Sequence, residues 1–299
     1  MYKLPVWNTI GDSYRFIWAE RGAWLNYILG PVIILSVLSP VLPLLGFNPI
    51  HSSGQDGIPV AAPKGPIFAG LFVAILLTIV IYISFVIAWH RRYLVGPENT
   101  SARELLTWGR RHWVFVGRII QLIAFTILVY LVIGLVIGLP LGLLVGFPTG
   151  GQPDGAAISK MIGFMVFGWV IMLLVSVWLM GTWLMFPAAA VEDRGIGIRK
   201  SMALARGNRW RMVAVFLIGS FLPVFLIQIV LAGITVGLFS VLIISSTGAP
   251  ELPFSVELLM NIISGAIYFL GVAIGVSLLS LMYRRLRDNV PLETETPAA

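Results

Sequence analysis

Six long stretches of the chain are free of Asp, Glu, Lys and Arg: Trp24–Phe47, Ile67–Trp89, Ile119–Phe147, Met161–Ala190, Met212–Ser246 and Leu258–Tyr283. A hydrocarbon core about 30 Å thick is crossed by roughly 20 apolar residues in a helix, so each stretch predicts one transmembrane helix. Several are longer than that, which predicts tilt or helix continuing beyond the hydrocarbon. Every charge in the chain falls in the connections. The predicted fold class is all-α: a polytopic membrane helical bundle of six transmembrane helices, arranged as three helical hairpins.

The polar connections show a second pattern. Placing Trp24, Trp113 and Trp210 in register aligns SYRFIWAERGAW (Ser13–Trp24), ARELLTWGRRHW (Ala102–Trp113) and RKSMALARGNRW (Arg199–Trp210), each just before an odd-numbered span. The chain reads as three repeats, about 7–97, 98–194 and 195–287, within a single integral membrane domain covering 1–299. Each repeat predicts a short interfacial amphipathic helix, a turn rich in Gly and Arg, a Trp at headgroup depth, and then a hairpin. In the first, Trp7, Ile10, Tyr14, Ile17 and Trp18 follow the spacing of a helix lying in the interface plane. In the second, Ser101 and Glu104 fit a capping box. In the third, Gly207 is placed to end the helix in the left-handed conformation. Residues 288–299 form a tail expected to be disordered. Met1–Arg21 has neither the uninterrupted apolar core nor the small-residue cleavage site of a signal peptide, so it is expected to stay in the mature chain.

Composition sharpens this picture. Hydrophobic residues make up 58% of the 299 positions and charged residues 11%, against about 25% charged in soluble domains. No segment is large enough for an attached soluble catalytic domain. The net charge of +7 and pI near 10.0 would suit nucleic acid only if the cations formed one soluble face. They do not: 18 of the 20 Lys and Arg residues lie at the termini and in the second and fourth connections, and only Lys64 and Lys160 lie on the other side. By the excess of Lys and Arg in cytoplasmic loops, both termini are expected in the cytoplasm. The expected partner is the anionic headgroup layer there, and not nucleic acid. The absence of cysteine removes disulfides and thiolate chemistry.

The segment Phe186–Arg211 carries a Pro near the end of the fourth span (Pro187), an acidic turn (Glu192, Asp193), a Ser-containing helix (Ser201) and a Gly-Asn-Arg-Trp turn (Gly207 to Trp210). It resembles the membrane region of bacterial glycerophosphodiester phosphodiesterases and related stand-alone six-span inner-membrane proteins of unassigned function. The resemblance implies a bacterial inner-membrane protein. It does not imply phosphodiesterase activity, because in that family the chemistry belongs to a separate soluble barrel for which this chain has no room.

The candidate functional residues fall into three groups. Arg21, Trp24, Arg110, Arg111, Trp113, Arg206, Asn208, Arg209 and Trp210 form the basic and aromatic belt, read either as interfacial anchors or as a site for a lipid headgroup or protein partner. Gly134, Gly138, Gly142 and Gly146 recur every fourth residue, with shorter echoes at Gly233 and Gly237 and at Gly271 and Gly275. Such faces let another backbone approach closely, whether within the bundle, in a homo-oligomer or around an acyl chain. Gln121, Gln228 and Asn261 are uncharged polar residues within spans that would line a solute path. Prolines at 31, 40, 43, 140, 187 and 223 are placed to kink helices and free backbone carbonyls. His51 lies in the first outer loop, while His90 and His112 stand at cytoplasmic span ends, and His90, beside Arg91 and Arg92, reads as interfacial and not as a base. No catalytic motif, metal-ligand spacing or cofactor fingerprint is present. The expected function is a non-enzymatic scaffold or regulator of the cell envelope that engages lipid or a partner; the alternative is a transporter or channel for a lipid or small solute.

Overall fold

The computed structural model describes residues 2–44, 65–140, 155–193, 195–245 and 254–289. Among them the elements are helical throughout. Helix α1 (Val6–Ala19) precedes α2 (Arg21–Leu44) and α3 (Gly65–Leu94); α4 (Arg110–Ile133) follows and continues through a π turn, Gly134–Gly138. Helix α5 (Gly155–Leu179) passes through a 3-10 turn, Met180–Leu184, into α6 (Met185–Ala190). Helices α7 (Ile198–Leu204) and α8 (Arg209–Phe216) lead through a second π turn, Leu217–Phe221, to α9 (Leu222–Ser245) and α10 (Phe254–Asn289). Six helical stretches are long and apolar enough to cross a membrane: Arg21–Leu38, Phe72–Leu94, Arg110–Gly138, Ile158–Ala190, Arg209–Gly237 and Phe254–Asn289. His51, Asp56, Lys64, Gly142, Gly146, Asp154, Glu251 and the tail from 290 onward lie outside the described residues.

Three breaks in helical regularity have a common cause. Proline has no N–H to give to the carbonyl four residues earlier. Pro223 deprives Gly219, and Pro140 deprives Val136; both carbonyls sit inside the π turns that end two residues before the proline. Pro187 deprives Trp183, which sits in the tightened 3-10 turn. The Gly219 carbonyl is reached instead by the Tyr14 hydroxyl, which donates to it at 3.0 Å.

The hairpins do not stand apart. Helix α10 runs through the middle, packing against α1, α2, α3 and the π turn Leu217–Phe221. Its anchor is Trp89 of α3, fully buried, whose Nε1 donates to the Ala273 carbonyl at 3.1 Å and the Ser277 Oγ at 2.9 Å. Phe85 stacks on Trp89 at 6.1 Å, and Phe16 and Tyr27 meet it edge-on, so α1 and α2 close around the α3–α10 seam. The core concentrates where the N-terminal segment, the end of α10 and the loops after α3 and α6 meet, here termed the basic end; Ile83–His90, Leu184–Ala190 and Leu278–Leu286 are largely buried there. Away from that end, α4, α5 and α9 expose most of their large apolar side chains, as lipid-facing surfaces do.

Two of the three expected interfacial helices form, α1 and α7. Gly207 takes the expected left-handed φ of 78° after α7. The segment before α4 differs from the expectation. In place of an amphipathic helix it has two short 3-10 turns, Pro97–Asn99 and Ala102–Leu105, and Ser101 makes no capping bond. The reason is Glu104: two guanidinium groups hold its carboxylate, Arg91 at 3.1 Å and Arg111 at 3.5 Å, so it does not reach back to the helix start.

Candidate functional site

Between α3, α4, α5, the α8–α9 segment and α10 lies a cavity of about 850 Å³. Each wall follows from local sequence. On α10, Gly271 and Gly275 have no side chain, so Val224, Ser220 and Phe216 can come close; a Cβ on Gly271 would lie 3.0 Å from Val224 Cγ2. The π turn turns Leu217, Ser220 and Phe221 toward the cavity, and α1 braces its back. There a Cβ on Gly219 would lie 3.0 Å from Ile10 Cγ1 and 3.1 Å from Leu278 Cδ1. Burial raises the pKa of Tyr14 above its ordinary value, so its hydroxyl keeps the proton it donates to Gly219.

Nearly all of the lining is apolar. Phe115, Phe186 and Leu279 close the end nearest the basic loops, with Phe115 and Phe186 rings 5.3 Å apart. Tyr82 and Tyr268, 6.2 Å apart, and Gln228 mark the other end. Leu173 of α5 and Phe221 are 56% and 59% exposed and line the cavity as well. The cavity therefore opens sideways between α5 and α9, where the neighbour of a spanning helix is hydrocarbon. His90, expected at the interface, is instead 1% exposed and set in this wall, its Nδ1 2.7 Å from Ser280 Oγ.

Ion pairs cross-link the elements of the basic end. Both Nε and Nη2 of Arg92 donate to Glu20 Oε2, tying α3 to the α1–α2 junction. Arg285 of α10 donates to Thr9 Oγ1 and Asp12 Oδ2, each at 2.6 Å. The Tyr283 hydroxyl donates to Asp193 Oδ2 at 2.8 Å, and Arg111 lies 3.8 Å from Glu192. Among the described residues, no group of three or more His, Asp or Glu side chains is placed to hold a metal ion.

The belt residues divide by what they touch. Trp113 and Trp210 are 65% and 61% exposed in the first turns of α4 and α8, and Arg110 and Arg206 are exposed too. Arg21 is exposed and lies 5.2 Å above the Trp18 ring. The others are engaged within the protein. Arg111 serves Glu104 and Glu192, Arg209 packs over Trp178 at 5.8 Å, and Trp24 is half-buried. Asn208 is 1% exposed and clamps the N-terminal segment: its Oδ1 accepts from the Leu4 N–H at 2.8 Å and its Nδ2 donates to the Tyr2 carbonyl at 2.9 Å. Its neighbour Arg211 donates to the Leu4 carbonyl at 2.9 Å. Asn208 is thus a structural clamp and not an interfacial contact.

The glycines divide in the same way. Gly271 and Gly275 pack within the chain, while added Cβ atoms on Gly134, Gly138, Gly233 and Gly237 would meet nothing within 4 Å. Of Gln121, Gln228 and Asn261, Gln228 alone lines the cavity; Gln121 accepts from Arg118 at 2.8 Å, and the Asn261 Nδ2 is buried without a partner. Sequence reasoning missed His90 and Ser280. The signal was present as Ser277 and Ser280, three residues apart within an apolar span.

These features define a multi-pass α-helical membrane protein with a laterally open apolar cavity above a cross-linked basic end. Comparison with protein-family models, with curated proteins and with solved structures finds no match for the chain.

Proposed function

We propose that this is a non-enzymatic protein of the bacterial inner membrane that binds a membrane lipid and acts as a scaffold or regulator of the cell envelope, with both termini in the cytoplasm. The observation that carries this reading is the cavity: about 850 Å³, apolar on nearly every side, and open toward hydrocarbon. That volume falls within the roughly 300–1,000 Å³ of small-molecule sites. The placement of 18 of 20 Lys and Arg residues supports the orientation, and the exposed Arg110, Arg206, Trp113 and Trp210 suit a surface resting on anionic headgroups. The resemblance of Phe186–Arg211 to membrane regions of bacterial phosphodiesterases supports the bacterial inner membrane as its place.

Native mass spectrometry of protein extracted with its lipid annulus tests the reading. One lipid retained per chain after the annulus is stripped, and lost when Leu173 and Phe221 are replaced by Trp to fill the mouth, is the expected result. A chain that retains none refutes it. Lipid transport is the second reading, favoured by Gln228 at the far end of the cavity; movement of a fluorescent lipid between leaflets of reconstituted vesicles, abolished by Gln228→Leu, would carry it over the first.

A further inference from the structure

The closed end of the cavity holds a hydrogen-bonding group with half of its capacity unused. Ser280 donates its hydroxyl hydrogen to the Val276 carbonyl at 2.9 Å. A hydroxyl has a single hydrogen, so in its contact with His90, at 2.7 Å, Ser280 accepts and Nδ1 carries the proton. Among the described residues no carboxylate bonds to the ring, and an imidazolium there would be an unpaired charge among apolar side chains, so the ring is neutral and Nε2 carries a lone pair. Among the described residues the ring's one hydrogen bond is the Nδ1 contact, and His90 lines the cavity. An acceptor left open in an apolar wall favours whatever ligand brings it a donor.

We infer that the cavity, on the reading above that it holds a lipid, takes a long-chain alcohol, with its hydrocarbon along the apolar walls and its terminal hydroxyl donating to His90 Nε2. The surrounding residues select this chemistry. Phe115, Phe186 and Leu279 are apolar, and the ester carbonyls of a glycerolipid accept without donating, so they would leave Nε2 unsatisfied. A carboxylate would face a lone pair with no cation beside it. An ammonium would be a charge in an apolar wall. A single uncharged donor satisfies Nε2 and asks for nothing more.

The test uses the whole protein in lipid nanodiscs, photolabelled with hexadecanol carrying a diazirine on its chain and with the methyl ether of the same probe, which accepts but cannot donate. The expected result is labelling of α5 and α9 peptides about tenfold stronger with the alcohol than with the ether, a preference equivalent to about 1.4 kcal/mol. His90→Leu should bring the alcohol down to the level of the ether and leave ether labelling unchanged. Ser280→Ala provides a second variant with residue 90 intact: it releases Nδ1, allows the proton to move to Nε2 and so removes the preference for the alcohol. Equal labelling by the two probes in the unaltered protein overturns the hydroxyl site while the lipid-holding cavity stands. Failure of both probes to label the walls overturns the underlying reading as well.

Discussion

Replacing Asn208 with Ala separates a structural clamp from a headgroup site. The carboxamide is 1% exposed and joins residues more than two hundred positions apart in the chain, accepting from Leu4 N–H and donating to the Tyr2 carbonyl. Leu4 is itself fully buried, so once Oδ1 is gone its N–H has no access to water, a loss of about 1–3 kcal/mol. Tyr2 is half-buried, and water can reach its carbonyl, so the second bond adds less. A total of about 2 kcal/mol corresponds to a roughly 30-fold rise in the population of chains with the N-terminal segment released. Hydrogen exchange of the N-terminal peptide containing Leu4, read by mass spectrometry in detergent, should accelerate by about that factor, while peptides from α10 hold their rates. Asn208→Asp keeps the acceptor for Leu4 but sets a second carboxylate oxygen against the Tyr2 carbonyl in a buried site, so it should release the segment as well. Unchanged exchange in Asn208→Ala, together with weaker binding to anionic vesicles, would refute the clamp and restore Asn208 to the interface.

The remaining predictions concern packing, assembly and orientation. Trp89→Phe shrinks a fully buried ring and removes the indole N–H shared by Ala273 and Ser277, so it should cost at least about 1–2 kcal/mol; an unchanged thermal unfolding midpoint would count against the α3–α10 anchor. Gly271→Leu should disrupt the approach of Val224, 3.0 Å from the new Cβ, and lower the midpoint strongly, whereas a Cβ at Gly138 meets nothing within 4 Å, so Gly138→Leu should leave the single chain folded. If size-exclusion chromatography shows that Gly138→Leu breaks an oligomer, a second molecule covers that face of α4; if it unfolds the monomer, the open face described here is wrong. The chain has no cysteine, so single replacements report orientation cleanly: an impermeant thiol reagent on intact cells should label Asp56→Cys and Asp154→Cys but not Glu104→Cys or Arg206→Cys. The reverse pattern would invert the topology.

The spans were legible because hydrocarbon imposes a rule that no local context overrides: about 20 residues without charge. The left-handed end of α7 was legible too, since Gly207 meets a local backbone demand. Residues whose role depends on long-range partners were not. Asn208 sits in a turn beside two arginines and a tryptophan, and its sequence neighbours suggest an interface; its partners, Tyr2 and Leu4, come from the other end of the chain. His90 was misjudged for the same reason. Arg91 and Arg92 beside it point to water, yet Ser280 on α10 draws its ring into the wall. The expected capping role of Glu104 failed because Arg91 and Arg111 compete for its carboxylate. The prolines were recognised as sources of free carbonyls, but that Gly219 would find its donor in Tyr14 required a fold in which α1 lies against the π turn.

The central position of α10 bears on how the chain is made. Trp89 has no partners for its indole until Ala273 and Ser277 arrive, and Asp12 and Thr9 wait for Arg285. These contacts join parts of the chain emitted by the ribosome long before and long after one another. Five spans must therefore reside in the bilayer with their shared seam unfilled, exposing Trp89 and Phe85 to lipid or to whatever insertion machinery shields them. Loss of the last helix should leave a chain that inserts but never consolidates, and quality-control proteases would meet it in that state.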